Sequence, residues 1–378
     1  MGHRDKPSAS DPIKVMLVDD SAVVRGLVTR ILDAEAGIQI VASVGNGQMA
    51  LAALERNDVD VVLLDIEMPV MDGLTALPKL LKADPGLKVI MQSTLTLKGA
   101  DVSLRAMEMG AADYIPKPTS TRDLAGGVDF KTELVGKIRA LGQARKRDTN
   151  RPARPGGPPT PRPIAAPRAP IAIHPGVVTL RSQTPESPDV IAIGSSTGGP
   201  QALFQVLGTM RVGTVHQPIL ITQHMPATFT TILAEHISRV SGWDAREGQD
   251  GEVIKGGRVY IAPGDFHMVV ETKGTDKVLR LNKNPPENFC RPAVDPMLRS
   301  IAAAYGKRVV ACILTGMGSD GMKGGQAVVA SGGAMIAQDE ATSVVWGMPG
   351  AAATAGICSA VLPLPEIAPW IMKLAARR

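Results

Sequence analysis

The chain has only three cysteines in 378 residues: Cys290, Cys312 and Cys358. An odd, widely spaced set builds neither a disulfide framework nor a zinc site. It suits a reducing compartment, so a cytoplasmic location is expected. Long apolar runs are also missing, and nothing is long enough to span a bilayer; no membrane insertion is expected. The opening MGHRDKPSAS lacks the apolar core of a signal peptide. It also lacks the Ser or Thr that a myristoylation signal requires. A basic folded face is absent too, although the net charge is +5. Eight basic residues between Gly142 and Pro188 (Arg145, Lys146, Arg147, Arg151, Arg154, Arg162, Arg168 and Arg181) stand against Asp148 and Glu186, a net +6 that leaves the rest of the chain at −1. The charge belongs to one low-complexity segment, and no nucleic-acid partner is expected.

That segment, around RPARPGGPPTPRPIAAPRAP, is too rich in proline and too poor in large apolar side chains to pack. It reads as an extended linker over 142–188. On either side strands alternate with helical patterns, which predicts two α/β domains with mainly parallel sheets, over 12–141 and 189–378. In the first half, strands are expected near Lys14–Val18, Ile38–Val44, Val59–Leu64, Lys88–Met91 and Ala112–Ile115. A last helix is expected over about Asp129–Arg145. In the second half they are expected near Val190–Ile193, Ile219–Thr222, Val309–Leu314 and Ala334–Ala337. An insertion from about Trp243 to Asn282 is expected to give antiparallel strands at one edge.

Polar residues of open parallel sheets collect at the carboxyl ends of strands. In the first half these are Asp19 and Asp20, Asp65, Ser93 and Lys117. Three clustered carboxylates repel one another unless a cation sits among them, and a hard ion such as Mg2+ suits oxygen ligands. A lone Asp at such a place is usually a helix cap; five polar residues in this order are not. MLVDDS, LLDIEMPVMDG, the ST of MQSTLT, and YIPKP resemble the receiver domain of two-component response regulators, a (βα)5 flavodoxin-like fold. The resemblance implies that Asp65 accepts a phosphoryl group from a histidine kinase. It implies Mg2+ on Asp20, Asp65 and the backbone carbonyl of Glu67, with Asp19 acting through water. Ser93, Tyr114 and Lys117 would be the switch residues.

The second half opens with VIAIGSSTGGP, a strand and then a glycine-rich turn of the form G-x-S-x-G centred on Ser196. This pattern puts a serine hydroxyl on a sharp strand-to-helix turn, where free N–H groups can hold an oxyanion. The motif alone also fits tight packing or a phosphate cradle. It is neither a Walker loop nor a G-x-G-x-x-G fingerprint. A serine needs a base, usually a histidine held by a carboxylate. His224 follows a strand at its carboxyl end and is favoured over His267; His3, His174, His216 and His236 are poorly placed. Asp320, in a glycine-rich loop after VVACIL, is favoured over Asp339 and Glu340. The order Ser, His, Asp differs from that of α/β-hydrolases, so the serine turn does not imply that fold.

IGSSTGG, QHMP, YIAPGDFHM, RPAVDPM, LTGMGSDG and QDEATSVVWGMP resemble the catalytic domain of the chemotaxis methylesterase (CheB) family. The resemblance implies a phosphorylation-regulated serine hydrolase. It would demethylate glutamate methyl esters and deamidate certain glutamines on methyl-accepting chemoreceptors, giving adaptation in chemotaxis-type signalling. The partners would be those receptors and a chemotaxis-type histidine kinase. Ser196 would be the nucleophile, His224 the base and Asp320 the orienting acid. Backbone N–H groups of Thr197 and Met317 would form the oxyanion hole, and no cofactor is needed in this half. A module that binds a phosphorylated metabolite is the rival reading; a transcription factor would need a basic recognition helix, and none is found.

Overall fold

The computed structural model describes residues 11–117, 128–149, 178–181, 186–210 and 212–376. Most of the expected linker, and with it His174, lies outside them, as does His3. Two compact units result: the first takes in the residues up to Lys146 together with Thr231–His236, and the second the rest from Arg147 on.

The first unit is a five-stranded parallel sheet: β1 Ile13–Val18, β2 Ile38–Val44, β3 Val61–Asp65, β4 Lys88–Ser93 and β5 Asp113–Pro116, in the order β2-β1-β3-β4-β5. All five strands stand where the sequence predicts them. The central strands read as unbroken apolar runs because both faces are covered by helices; every residue of β3 is buried. Ser21, Asn46, Asp72 and Thr96 cap the first four helices, each accepting a backbone N–H, which contributes about 1 kcal/mol per cap. The strand order reverses between β1 and β3, and the crevice there gathers the carboxyl-end residues. The last helix, Val128–Thr149, continues past residue 142, where the linker is expected to begin.

The second unit has a seven-stranded sheet formed by β6 Val190–Ser195, β7 Ile219–Gln223, β8 Asp244–Glu247, β9 Arg258–Ile261, β12 Val309–Ile313, β13 Ala334–Gln338 and β14 Ala360–Leu362. The order is β14-β13-β12-β6-β7-β9-β8, and every pairing is parallel. The antiparallel pair expected between Trp243 and Asn282 is narrower than that stretch. Only β10 His267–Lys273 and β11 Asp276–Asn282 pair antiparallel, as a hairpin of their own. β8 and β9 join the main sheet, with Tyr260 fully buried in its core. Alternation of polar and apolar residues marks strands but not the direction of their neighbours. The order reverses between β12 and β6, so the loops after β6, β7 and β12 open at one end of the sheet.

Candidate active site and acidic cluster

Ser196 sits one residue beyond β6. From Val190 to Pro200 it alone escapes burial. Its N–H donates to Thr315 O at 3.0 Å, and His224 N donates to Ser195 O at 3.2 Å. The ladder of β6 with its two neighbours thus sets the backbone of Ser196, His224 and Thr315 side by side. The turn needs a glycine at position 198, where φ is +76° and a Cβ would lie 2.6 Å from the Val344 side chain. The helix Gly199–Thr209 that follows has no side-chain cap and carries Pro200 in its first turn. Its Gly199 N–H donates to Ser196 O at 2.7 Å, closing the turn around the serine. Among the described residues neither Thr197 N–H nor Met317 N–H has an acceptor. Met317 lies in the loop after β12, where a Cβ on neighbouring Gly316 would come 2.9 Å from Ser196 Cβ.

Ser195 is fully buried, and its hydroxyl donates to Gln223 Oε1 at 2.6 Å. The same glutamine donates through Nε2 to Ser196 O at 3.0 Å. Ser195 therefore supports the turn and does not face a substrate. The segment QDEATSVVWGMP holds the β12 loop from the other side. Thr315 Oγ1 accepts from Val345 N and donates to Thr197 O, and Gly316 N donates to Val345 O.

His224 and Asp320 meet as expected. Nε2 lies 2.8 Å from Asp320 Oδ2, with Asp320 buried and His224 slightly exposed. Asp320 is built in from several directions. It accepts from Val294 N at 2.6 Å, Asp295 N at 3.0 Å and Asn288 Nδ2 at 2.9 Å. Burial raises its pKa, but the His224 contact and these backbone donors outweigh burial and hold the carboxyl below its ordinary value. Asp295, also buried, accepts from Gly321 N, Gly324 N and Asn288 Nδ2. Burial and the neighbouring Asp320 push its pKa up. The two carboxyls are thus shifted in opposite directions, Asp320 down and Asp295 up. For His224, burial opposes the charged ring, but the Cys290 sulfur and the Asp320 carboxylate outweigh it and raise the pKa. With Nε2 committed to Asp320, the ring nitrogen left to take a proton is Nδ1. It lies 3.3 Å from Cys290 Sγ, and among the described residues Ser196 Oγ makes no hydrogen bond to it.

His267 is placed differently. Nδ1 is 3.2 Å from Ala293 N and Nε2 is 3.1 Å from Pro285 O. An amide can only donate and a carbonyl only accept, so the tautomer is fixed and both nitrogens are spent on the backbone. Asp339 is likewise committed, accepting from Thr342 N and Oγ1. Sequence reasoning missed Gln223, Asn288, Cys290 and Asp295 as parts of this site. Gln223 and Asp295 lie inside the motifs QHMP and RPAVDPM. Asn288 and Cys290 belong to a loop whose course no local pattern announces.

In the first unit, ligand oxygens of Asp19, Asp20 and Asp65 lie within 4.8 Å of one another. Lys117 Nζ is 2.6 Å from Asp65 Oδ2 and 3.1 Å from Asp19 Oδ2. Both oxygens are buried, and beyond the ammonium contact neither has a well-directed donor. This donor set fits a hard divalent cation. Burial pushes the Asp65 pKa up to about 6 despite Lys117. For Lys117 burial is outweighed by Asp65 and Asp19, and its pKa rises. Ser93 is buried at the end of β4, with Oγ 3.2 Å from Thr94 O. Tyr114 is buried on β5, its ring 4.9 Å from Lys137 Nζ. The Glu67 side chain is exposed and pairs with Lys98 at 3.2 Å.

Fold and site together define a two-part signalling enzyme, with a receiver-type sheet and acidic cluster in one chain with an α/β unit that presents serine, histidine and aspartate. Residues 15–129 match the response regulator receiver domain, and residues 191–371 match CheB methylesterase. A protein-glutamate methylesterase/protein-glutamine glutaminase of Paramagnetospirillum magneticum is 86% identical, with 99% of each chain covered. One from Rhodospirillum rubrum is 60% identical over 97% of this chain and 96% of its own. The CheB methylesterase catalytic domain of Thermotoga maritima is 40% identical, at a TM-score of 0.49, over 50% of this chain and 99% of its own. The chain belongs to the CheB methylesterase family. No helix among the described residues is long and apolar enough to cross a membrane.

Proposed function

We propose that this protein hydrolyses γ-glutamyl methyl esters, and deamidates glutamines, on methylated chemoreceptors in the cytoplasm. The observation that carries this reading is the half-buried Ser196 at a helix start without a side-chain cap, beside a histidine held by a buried aspartate. His224 Nδ1 takes the Ser196 proton as Oγ attacks the side-chain carbonyl. The Thr197 and Met317 N–H groups receive the oxyanion. The imidazolium, steadied by Asp320, returns its proton to the departing methoxide or ammonia, and water then releases the acyl-enzyme. In the first unit Asp65 takes a phosphoryl group from a chemotaxis-type kinase and thereby raises esterase activity. Asp19, Asp20, Asp65 and the Glu67 carbonyl would hold Mg2+, which neutralises phosphoryl charge when bound. Ser93, Tyr114 and Lys117 would relay the change. The domain limits expected from the sequence, 12–141 and 189–378, suit this scheme, with the last helix of the first running on to Thr149.

Methanol release from a methylated receptor fragment, with and without a small phosphodonor and Mg2+, tests the scheme. Asp65→Asn is expected to keep basal release and lose the response to the donor. Its receiver should also be more stable at pH 7 without divalent cation, by about 1 kcal/mol after allowance for solvent screening. The sign follows from the raised pKa: the folded state binds more protons, so wild-type stability falls as pH rises from about 4 toward 6. A variant that still responds to the donor would remove Asp65 from the scheme.

The pH profile gives a further test. A raised His224 pKa means that the free base appears only above the ordinary imidazole value of about 6.5. kcat/KM is therefore expected to rise through a pH above that value. The same shift adds stability below about pH 6.5 that is lost as pH climbs through the folded pKa. A limb centred at or below pH 6 would show that the Asp320 and Cys290 contacts do not control the base.

A further inference from the structure

Residues 287–290 form a tight turn beside His224. Glu287 N donates to Cys290 O at 3.1 Å, and Cys290 N donates to Glu287 O at 2.9 Å. Both central residues lie in the left-handed region, Asn288 at φ +52° and Phe289 at φ +64°. This is the arrangement of a two-residue type I′ turn. Asn tolerates that conformation; a bulky aromatic is a true outlier there.

The side chains of the turn face two ways. Glu287 pairs with Arg299 through both carboxylate oxygens. Asn288 donates to Asp320 and Asp295. Cys290 touches His224. Two of the four side chains thus hold the turn against Asp320 and His224, and a third ties it to Arg299. Phe289 alone points outward, fully exposed, and is the sole aromatic among the exposed large apolar side chains described. Met317, next to the Gly316 that packs on Ser196, is also an exposed apolar side chain. A strained residue at a functional site invites a functional explanation. Among the described residues nothing covers the Phe289 ring, so no burial offsets its backbone conformation or its hydration.

We infer that Phe289 is a docking anchor for the protein substrate. Its ring seats on apolar side chains of the receptor next to the esterified glutamate and sets that glutamate's ester over Ser196. The inference rests on the esterase reading above. An amphipathic helix supplies the matching surface, because apolar and polar positions three or four residues apart lie side by side on it. A rigid turn that already projects its aromatic loses little freedom on binding.

The test is Phe289→Gly in the full chain, since glycine suits the left-handed position better than any other residue. Two readouts are compared with wild type: methanol release from a methyl-esterified receptor fragment, and the rate at which a small fluorophosphonate labels Ser196. The expected result is a fall of about tenfold or more in kcat/KM on the fragment, carried by KM. Fluorophosphonate labelling should be unchanged and the melting temperature equal or higher. Phe289→Trp should restore most of the activity. Equal turnover by Phe289→Gly and wild type overturns the proposal. So does a parallel fall in both readouts, which would mark the residue as structural. Failure of the esterase reading looks different: wild type would release no methanol from the fragment, and the anchor proposal would fall with it.

Discussion

Ser196→Ala is expected to reduce methanol release from a methylated receptor by about 10^4-fold or more, with the fold intact. The loss is large because, in the proposed mechanism, the Ser196 hydroxyl is the atom that forms the acyl-enzyme. Ser195 is buried and bonded to Gln223. Cys290 is the one rival with a specific observation in its favour, since its sulfur and not Ser196 Oγ meets His224 Nδ1 in this structure. Geometry around the thiol argues against it. The Cys290 N–H is spent on Glu287 O, whereas the Ser196 turn is flanked by the open Thr197 and Met317 N–H groups. Hydrogen bonds to a nucleophile are often loose without substrate and tighten in the complex. Cys290→Ala, assayed beside Ser196→Ala, should therefore keep most of the activity. The reverse result, a silent Cys290→Ala and an active Ser196→Ala, would transfer the nucleophile to the thiol.

Asp320→Asn should cost about as much in kcat, on the order of 10^4-fold, and should cost stability as well. The carboxylate accepts from a ring nitrogen, an amide side chain and the backbone N–H groups of Val294 and Asp295. An amide of the same shape keeps one oxygen and turns an NH2 toward donors. At least one buried donor is left unpaired, and the imidazolium loses its counter-charge. A stability loss of about 2–3 kcal/mol at pH 7 is expected from chemical denaturation. The deficit depends on pH. With a folded pKa below its unfolded value, Asp320 contributes stability above about pH 4 that disappears as pH falls through the folded pKa. Wild type and variant should converge in acid. A constant gap down to pH 3 would mean that shape and not charge is what matters at this position.

Gly274 and Lys273 near the β10–β11 hairpin illustrate how much of the fold local pattern could carry. Gly-rich punctuation and alternation mark those strands in the chain, yet pairing direction depends on residues far away. β8 and β9 have similar alternation and run parallel in the main sheet. The acidic cluster was more legible. Asp19, Asp20 and Asp65 each end an apolar run, and parallel topology alone carries strand ends to a common edge. Ser196 and His224 were legible for the same reason.

The sequence by itself determined the two α/β units, the residues at their strand ends and the family to which they belong, because apolar periodicity and motif order are local properties. Tertiary structure alone decided the surroundings of those residues. Asn288 joins two carboxyls across the loops, and the Cys290 sulfur lies against His224 Nδ1. His267 spends both nitrogens on backbone, and Phe289 turns outward. Each depends on where a loop crosses the end of the sheet, and the path of such a loop is set by contacts between segments remote in the chain.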